Sequence, residues 1–162
     1  MAALQTITDA VTAMPFTLSA PCELLEVISK SRFLAKAAPV QSAEEAQAFI
    51  QAVSDPTATH NCWAWKIGNQ YRFSDDGEPG GTAGRPMFQA LQGSQIGEIG
   101  CVVIRYFGGT KLGTGGLARA YAQAVNAGLE TLPTREVVER DSYLLKVSFA
   151  HEAQARAWCD EQ

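Results

Sequence analysis

Glycine placement constrains this chain more than any other feature. Of its fourteen glycines, nine lie between Gly77 and Gly109 and three more between Gly113 and Gly116. Glycine enters left-handed and close-approach backbone conformations without a Cβ penalty, so such clusters mark loops rather than regular elements. Between them runs the segment 100–107, whose Val102-Val103-Ile104 run is unbroken by polar residues. That pattern predicts a strand buried on both faces. The fold must therefore carry two glycine-rich loops beside one central strand, and a working surface built from those loops.

The remaining elements follow from periodicity and punctuation. Strands are expected at 22–28 and 33–40. Ser42-Ala43-Glu44-Glu45 is a capping box, in which the serine accepts from a backbone N–H three residues on and the glutamate reaches back. It opens a helix with Ala46, Phe49, Ile50 and Val53 on one stripe, stopped at Asp55-Pro56. A strand at 62–67 turns through Gly68-Asn69 into 71–73, a hairpin. Pro86 suits the start of a short helix over 87–92, and an Ala-rich helix is expected at 116–130. A strand at 143–149 and a helix at 151–159 close the chain. These elements give a mixed α/β fold, an α+β arrangement in two layers. Val102, Val103, Ile104, Phe49, Ile50 and Tyr121 are expected to share its core.

Composition narrows the class. The chain has 162 residues, 46% hydrophobic and 19% charged, enough for one buried core and inconsistent with disorder. Net charge is −4, which disfavours a nucleic-acid coat protein. Segments 30–36 and 60–120 nevertheless hold nine Lys/Arg against four acids, net +5, leaving −9 elsewhere. This segregation fits a basic face on an acidic body, or cations scattered over several faces. Four cysteines, Cys22, Cys62, Cys101 and Cys159, form no metal-ligand spacing and read as reduced thiols of a cytoplasmic protein. No signal peptide or membrane span is expected.

The second glycine loop, Gly108 to Gly116, joins a strand to a helix. Outward-pointing N–H groups at a helix start suit an anion, and Lys111, Thr114 and Arg119 add donors. The glycines equally permit a tight strand-to-helix crossing without any ligand. No Walker A or dinucleotide fingerprint occurs. The first loop offers Asp75, Asp76, Glu78, Thr82 and Arg85, which read as turn and partner surface, as oxygen ligands for Mg²⁺, or as catalytic carboxylates. His60 and Cys62 would share one strand face, so a Cys/His nucleophile is geometrically possible. Trp63 and Trp65 share the other face, as core or as a base-stacking platform. The two loops are expected to meet in one concave surface. There at least one of Arg85, Arg105, Lys111 and Arg119 pairs with Asp75, Asp76 or Glu78.

Three strings, KSRFLA at 30–35, HNCWAW at 60–65 with SDDGEPGGTAGRPM at 74–87, and RYFGGTKLGTGGLARAY at 105–121, resemble the IMPACT/YigZ family over about residues 16–130. The resemblance implies the fold of the second domain of ribosomal small-subunit protein five. It divides the chain into a flexible arm (1–15), an IMPACT/YigZ-like domain (16–135), and the first strand and partial helix of an incomplete ferredoxin-like domain (136–162). Eukaryotic relatives of this family regulate translation, using a further N-terminal domain. The resemblance thus implies a translation-associated binding protein for RNA, the ribosome or a translation factor, without membrane contact, cofactor, metal or established catalytic residues. Candidate binding residues are Lys30, Arg32, His60, Asn61, Asp75, Asp76, Glu78, Thr82, Arg85, Arg105, Lys111, Thr114 and Arg119. Two alternatives remain: a nucleotide-binding phosphotransferase using 108–119, with Asp75 or Asp76 holding Mg²⁺ or acting as base, and a pure protein-interaction module.

Overall fold

The computed structural model of the protein describes residues 16–18, 20–131, 134–136 and 144–161; the expected arm, 1–15, lies outside them. The elements are β1 (Phe16–Leu18), β2 (Cys22–Ile28), β3 (Ser31–Ala38), α1 (Ala43–Val53), β4 (His60–Ile67) and β5 (Gln70–Ser74). They continue with α2 (Gly84–Gly93), β6 (Glu98–Tyr106), α3 (Gly113–Glu130), β7 (Thr134–Glu136) and α4 (Glu152–Asp160).

The fold is mixed α/β. Five antiparallel strands form one sheet in the order β2-β3-β6-β4-β5, and β1 pairs with β7 apart from it. β6 holds the centre, with every residue from Ile99 to Arg105 buried, as its unbroken apolar run demands. Helices α2 and α3 pack on one face, over Phe33, Cys62, Ala64, Ile99 and Val103. Helix α1 packs on the other, over Val40, Trp65, Val102 and Ile104, and so adds a layer to the two expected.

The expected single core is therefore split. Val103 joins Tyr121 on the α2/α3 face, whereas Val102, Ile104 and Ile50 lie together on the α1 face with Phe49 against them. Successive strand residues point to opposite sides of a sheet, so three consecutive apolar residues serve two cores. Trp63 and Trp65 sit with the α1 core and are not a stacking platform.

The capping box forms. Ser42 Oγ accepts from the Glu45 N–H at 3.1 Å, and the Glu45 carboxylate accepts from the Gln41 N–H at 2.8 Å. Helices α2 and α3 begin earlier than propensity suggests, at Gly84 and Gly113. Tertiary packing explains Gly84, because a Cβ there would lie 2.8 Å from the Ser74 backbone. Gly108 is equally constrained: a Cβ would collide with the Lys30 carbonyl.

Residues 144–148 do not form the expected strand. Their backbone pairs with no sheet edge among the described residues, and an isolated strand is not stable in water. Leu144, Leu145, Val147 and Phe149 are exposed, and α4 buries none of its residues. No described helix is long and apolar enough to cross a membrane.

The two-sided burial of β6 yields a direct stability test. Ile104→Ala is expected to cost about 2–5 kcal/mol in urea unfolding, whereas Leu144→Ala, 87% exposed, should stay within about 0.5 kcal/mol of the parent.

Candidate functional site

The two glycine-rich loops meet at one end of the sheet. They enclose an open cleft of about 320 Å³, lined by Glu78 and Pro79 from the first loop and Lys111 to Thr114 from the second. His60 and Arg105, directly opposed on β4 and β6, contribute its floor. Thr59, Phe107 and Leu117 complete the wall.

A buried ion pair organises the cleft. Glu78 Oε1 accepts from Arg105 Nη1 at 2.6 Å and from the Tyr121 hydroxyl at 2.9 Å. Both charged side chains are more than nine-tenths buried. Arg105 Nη2 lies 3.4 Å from Ser31 Oγ, which also accepts from the Gly108 N–H at 3.3 Å. The Arg105 guanidinium stands over the rings of Phe33 and Phe107 at 5.6 and 5.5 Å, a favourable cation–π arrangement. Its Nε is buried with no acceptor. One carboxylate thus ties the first loop to β6 and α3, and one hydroxyl ties β6 to the second loop.

His60 is fixed between these groups. Its Nδ1 donates to the Asp76 carbonyl at 2.8 Å, because a carbonyl can only accept. Its Nε2 then faces Glu78 Oε1 at 3.4 Å. The acids beside it serve the loop itself. Asp75 accepts from the N–H groups of Gly81 at 2.9 Å, Ala83 at 3.1 Å and Gly84 at 2.9 Å. Burial raises the Asp75 carboxyl, but these three donors together outweigh it and hold the group below the usual carboxylate range. The Asp76 carboxylate accepts from the Asn61 N–H at 2.7 Å. Thr82 is buried and donates to the Pro79 carbonyl. Both Asp75 oxygens are thus engaged by backbone donors, which leaves that carboxylate poorly placed to hold Mg²⁺ or act as a base. Among the described residues no group of three His, Cys, Asp or Glu gathers around a point.

The Cys/His nucleophile is overturned. Cys62 is fully buried, and its thiol donates to the Asp75 carbonyl at 3.0 Å. Burial pushes its pKa up to about 12, so the thiolate a nucleophile needs is absent near neutral pH.

The structure gathers His60, Glu78, Arg105, Lys111 and Thr114 at the cleft and separates the other candidates from it. Asn61 points to the α1 side, where its amide accepts from the Asp55 N–H and donates to the Asp55 carbonyl, both at 2.9 Å. Arg32 covers the Tyr106 ring at 4.7 Å. Arg119 lines a separate shallow groove with Pro86 and Asn126, between α2 and α3. Arg85 is exposed at the start of α2. Lys30 occupies the β2–β3 turn, its carbonyl packed against Gly108. The expected acid–cation pairing exists, but it is Glu78 with Arg105, buried and internal, rather than on a free surface. Sequence reading missed the roles of Ser31, Phe107 and Tyr121. All three lie inside strings already singled out, but Tyr121 was expected only as a core residue.

The described geometry has known counterparts. The Impact N-terminal domain family matches residues 29–129. The chain belongs to the IMPACT family. It is 45% identical over 138 residues to the IMPACT family member YigZ of Escherichia coli, covering 81% of this chain and 68% of that one. The family member YvyE of Bacillus subtilis is 45% identical over 130 residues, 77% of this chain and 58% of that protein. The protein IMPACT homolog of Dictyostelium discoideum is 36% identical over 107 residues, which is 60% of this chain and 29% of that one. A crystal structure described as that of a hypothetical protein superposes with a TM-score of 0.75 at 41% identity, covering 91% of this chain and 75% of that one. All the cleft residues of this IMPACT family chain fall inside the matched segment 29–129.

Two outcomes follow from the carboxylates. Removing Glu78 leaves the Arg105 charge buried without its partner, so Glu78→Ala should lose about 3–5 kcal/mol of stability. A double-mutant cycle with Arg105→Ala should return a coupling well above 0.5 kcal/mol, read from denaturant melts. The three backbone donors hold the folded Asp75 carboxyl below its ordinary range. Its contribution is therefore fully present above about pH 4 and lost as pH falls through the folded value. Asp75→Asn should be less stable than the parent at pH 7, and the two should converge in acid. Parallel curves down to about pH 2 would refute the assignment.

Proposed function

We propose that this IMPACT family chain is a translation-related regulatory protein that engages phosphate groups of an RNA partner through the cleft. The observation that carries the reading is the second glycine loop. Helix α3 runs 18 residues and opens at Gly113 with no side-chain cap on its first turn, so its N–H groups and positive end are available to an anion. Lys111 stands beside that turn, and Arg105 brings a buried Nε–H without an acceptor to the same cleft. Glu78 does not oppose this field, because Arg105 neutralises it at 2.6 Å. Arg32, over the Tyr106 ring, faces elsewhere, whereas the Arg119 guanidinium lies beside Gly115 on the first turn of α3.

A second reading is favoured by the cleft's apolar side. Phe107 is 48% exposed, and Leu112, Leu117 and Pro79 line the same space. A volume of about 320 Å³ lies at the lower end of small-ligand pockets, so a free nucleotide could place its base there and its phosphates at Lys111. A protein-interaction module would depend on neither group.

Binding of a short single-stranded RNA, titrated against salt, tests the proposal. Lys111→Ala should weaken binding and reduce the log–log salt slope by about one unit for the lost phosphate contact, with the thermal melt unchanged. An unchanged slope removes the cleft from RNA binding. Displacement of the RNA by micromolar ATP, dependent on Lys111, would assign the site to a nucleotide instead.

A further inference from the structure

Positive charge in the cleft is focused on one point, the first turn of α3. Leu112 holds right-handed helical angles (φ −87°, ψ −23°), and Gly113 follows at φ 74°. A right-then-left sequence of this kind turns successive N–H groups to one side as an anion-binding nest. No side chain caps the helix that starts there, and its first turn contains no acid. Lys111 stands beside this turn, exposed and within the cleft wall. A Cβ at Gly115 would lie 3.3 Å from Arg119 Nη1, so a second cation reaches the same turn. Arg105 gives an independent sign of a missing anion. It is 5% exposed, it lines the cleft, and its Nε has no acceptor, although buried donors are ordinarily satisfied.

Shape and chemistry limit what can supply that anion. The cleft encloses about 320 Å³, at the small end of ligand pockets, which is room for one nucleotide. Beside the charged turn its lining is apolar, from Pro79, Phe107, Leu112 and Leu117. Phe107 is 48% exposed, with the Arg105 guanidinium over its ring at 5.5 Å, so its open surface can receive a base. A groove that follows a running strand needs cations in succession along the backbone. Among the described residues lining this cleft, Lys111 is the one cation without an anionic partner. Arg105 is bound to Glu78 at 2.6 Å, and His60 Nε2 faces the same carboxylate at 3.4 Å. The site provides for one phosphate, not several.

We infer that the cleft seats the terminal nucleotide of a single-stranded RNA, its phosphomonoester on the first turn of α3 and its base against Phe107. This rests on the phosphate reading proposed above and narrows it from any backbone phosphate to a chain end. A phosphomonoester carries about −1.5 to −2 at neutral pH, whereas a bridging phosphodiester carries a single charge. One focused positive point gains most from the former. A bridging phosphate would also have to lead the chain out in two directions, past walls supplied by both loops. The same chemistry is present on a 5′ phosphate, on a 3′ phosphate and on a free nucleotide, and a comparison of ends tells them apart.

Fluorescence anisotropy on the full chain tests this with a short, internally labelled oligouridine in four forms: 5′-phosphate, 3′-phosphate, hydroxyl at both ends, and closed circle. At least one phosphorylated form should bind about tenfold or more tightly than the hydroxyl form and the circle, the worth of one added charge-assisted hydrogen bond. Lys111→Ala should erase that advantage with an unchanged thermal melt. Phe107→Leu keeps apolar bulk but removes the ring, and should weaken the preferred form about fivefold; full affinity in that variant would overturn the seat for the base. A circle that binds as tightly as the better phosphorylated form overturns the inference. If Lys111→Ala still weakens the circle, the cleft holds backbone phosphate and the broader proposal stands; if it does not, both fall. Free uridine monophosphate competing as well as the phosphorylated oligomer would overturn the RNA end and give the cleft to a free nucleotide.

Discussion

The ion pair between Glu78 and Arg105 is the contact on which the architecture of this end of the molecule depends. Burying a carboxylate and a guanidinium costs several kcal/mol each, recovered only when geometry is good and remaining donors are satisfied. Glu78 collects Arg105, Tyr121 and His60 around a single oxygen. Those groups come from β6, α3 and β4, so the carboxylate fixes where the first glycine loop sits relative to three separate elements. Without it the loop would have no reason to fold over the sheet end, and the cleft would lose one wall.

The glycine loops work because charge replaces packing inside them. Asp75 gathers three backbone N–H groups that would otherwise be left unsatisfied as the chain doubles back into α2. Asp76, at φ 41°, ties its carboxylate to Asn61 and its carbonyl to His60. The acids are spent on shape. The cations left facing solvent at Lys111 and Arg85 are what the loops can offer to another molecule.

Much of the fold could be read in advance because its signals are local. The Ser42 capping box, the β4–β5 alternation and the apolar run of β6 each declare themselves within a few residues. The pairing inside the cleft could not be read that way. Glu78 and Arg105 are 27 positions apart, and Tyr121 lies 43 from Glu78. Nothing in a local pattern separates a buried, neutralised arginine from a free one. Arg105 therefore stood among ligand-binding cations with Arg32 and Arg119, although strand alternation and helix phase send those three to different places.

The β2–β3 turn has a consequence for how the chain assembles. Ser29 and Lys30 both adopt positive φ, 47° and 66°, the left-handed pair that tight hairpins usually assign to Asn-Gly. Side chains with a Cβ resist that conformation, so this hairpin is a poor early nucleus. Its tip is held from outside, by Gly108 against the Lys30 carbonyl and by Ser31 accepting from the Gly108 N–H. The order of events this favours runs inward to outward, with β6 and its partners setting the register first. The turn then closes on a surface already waiting for it, and the second glycine loop acts as the latch.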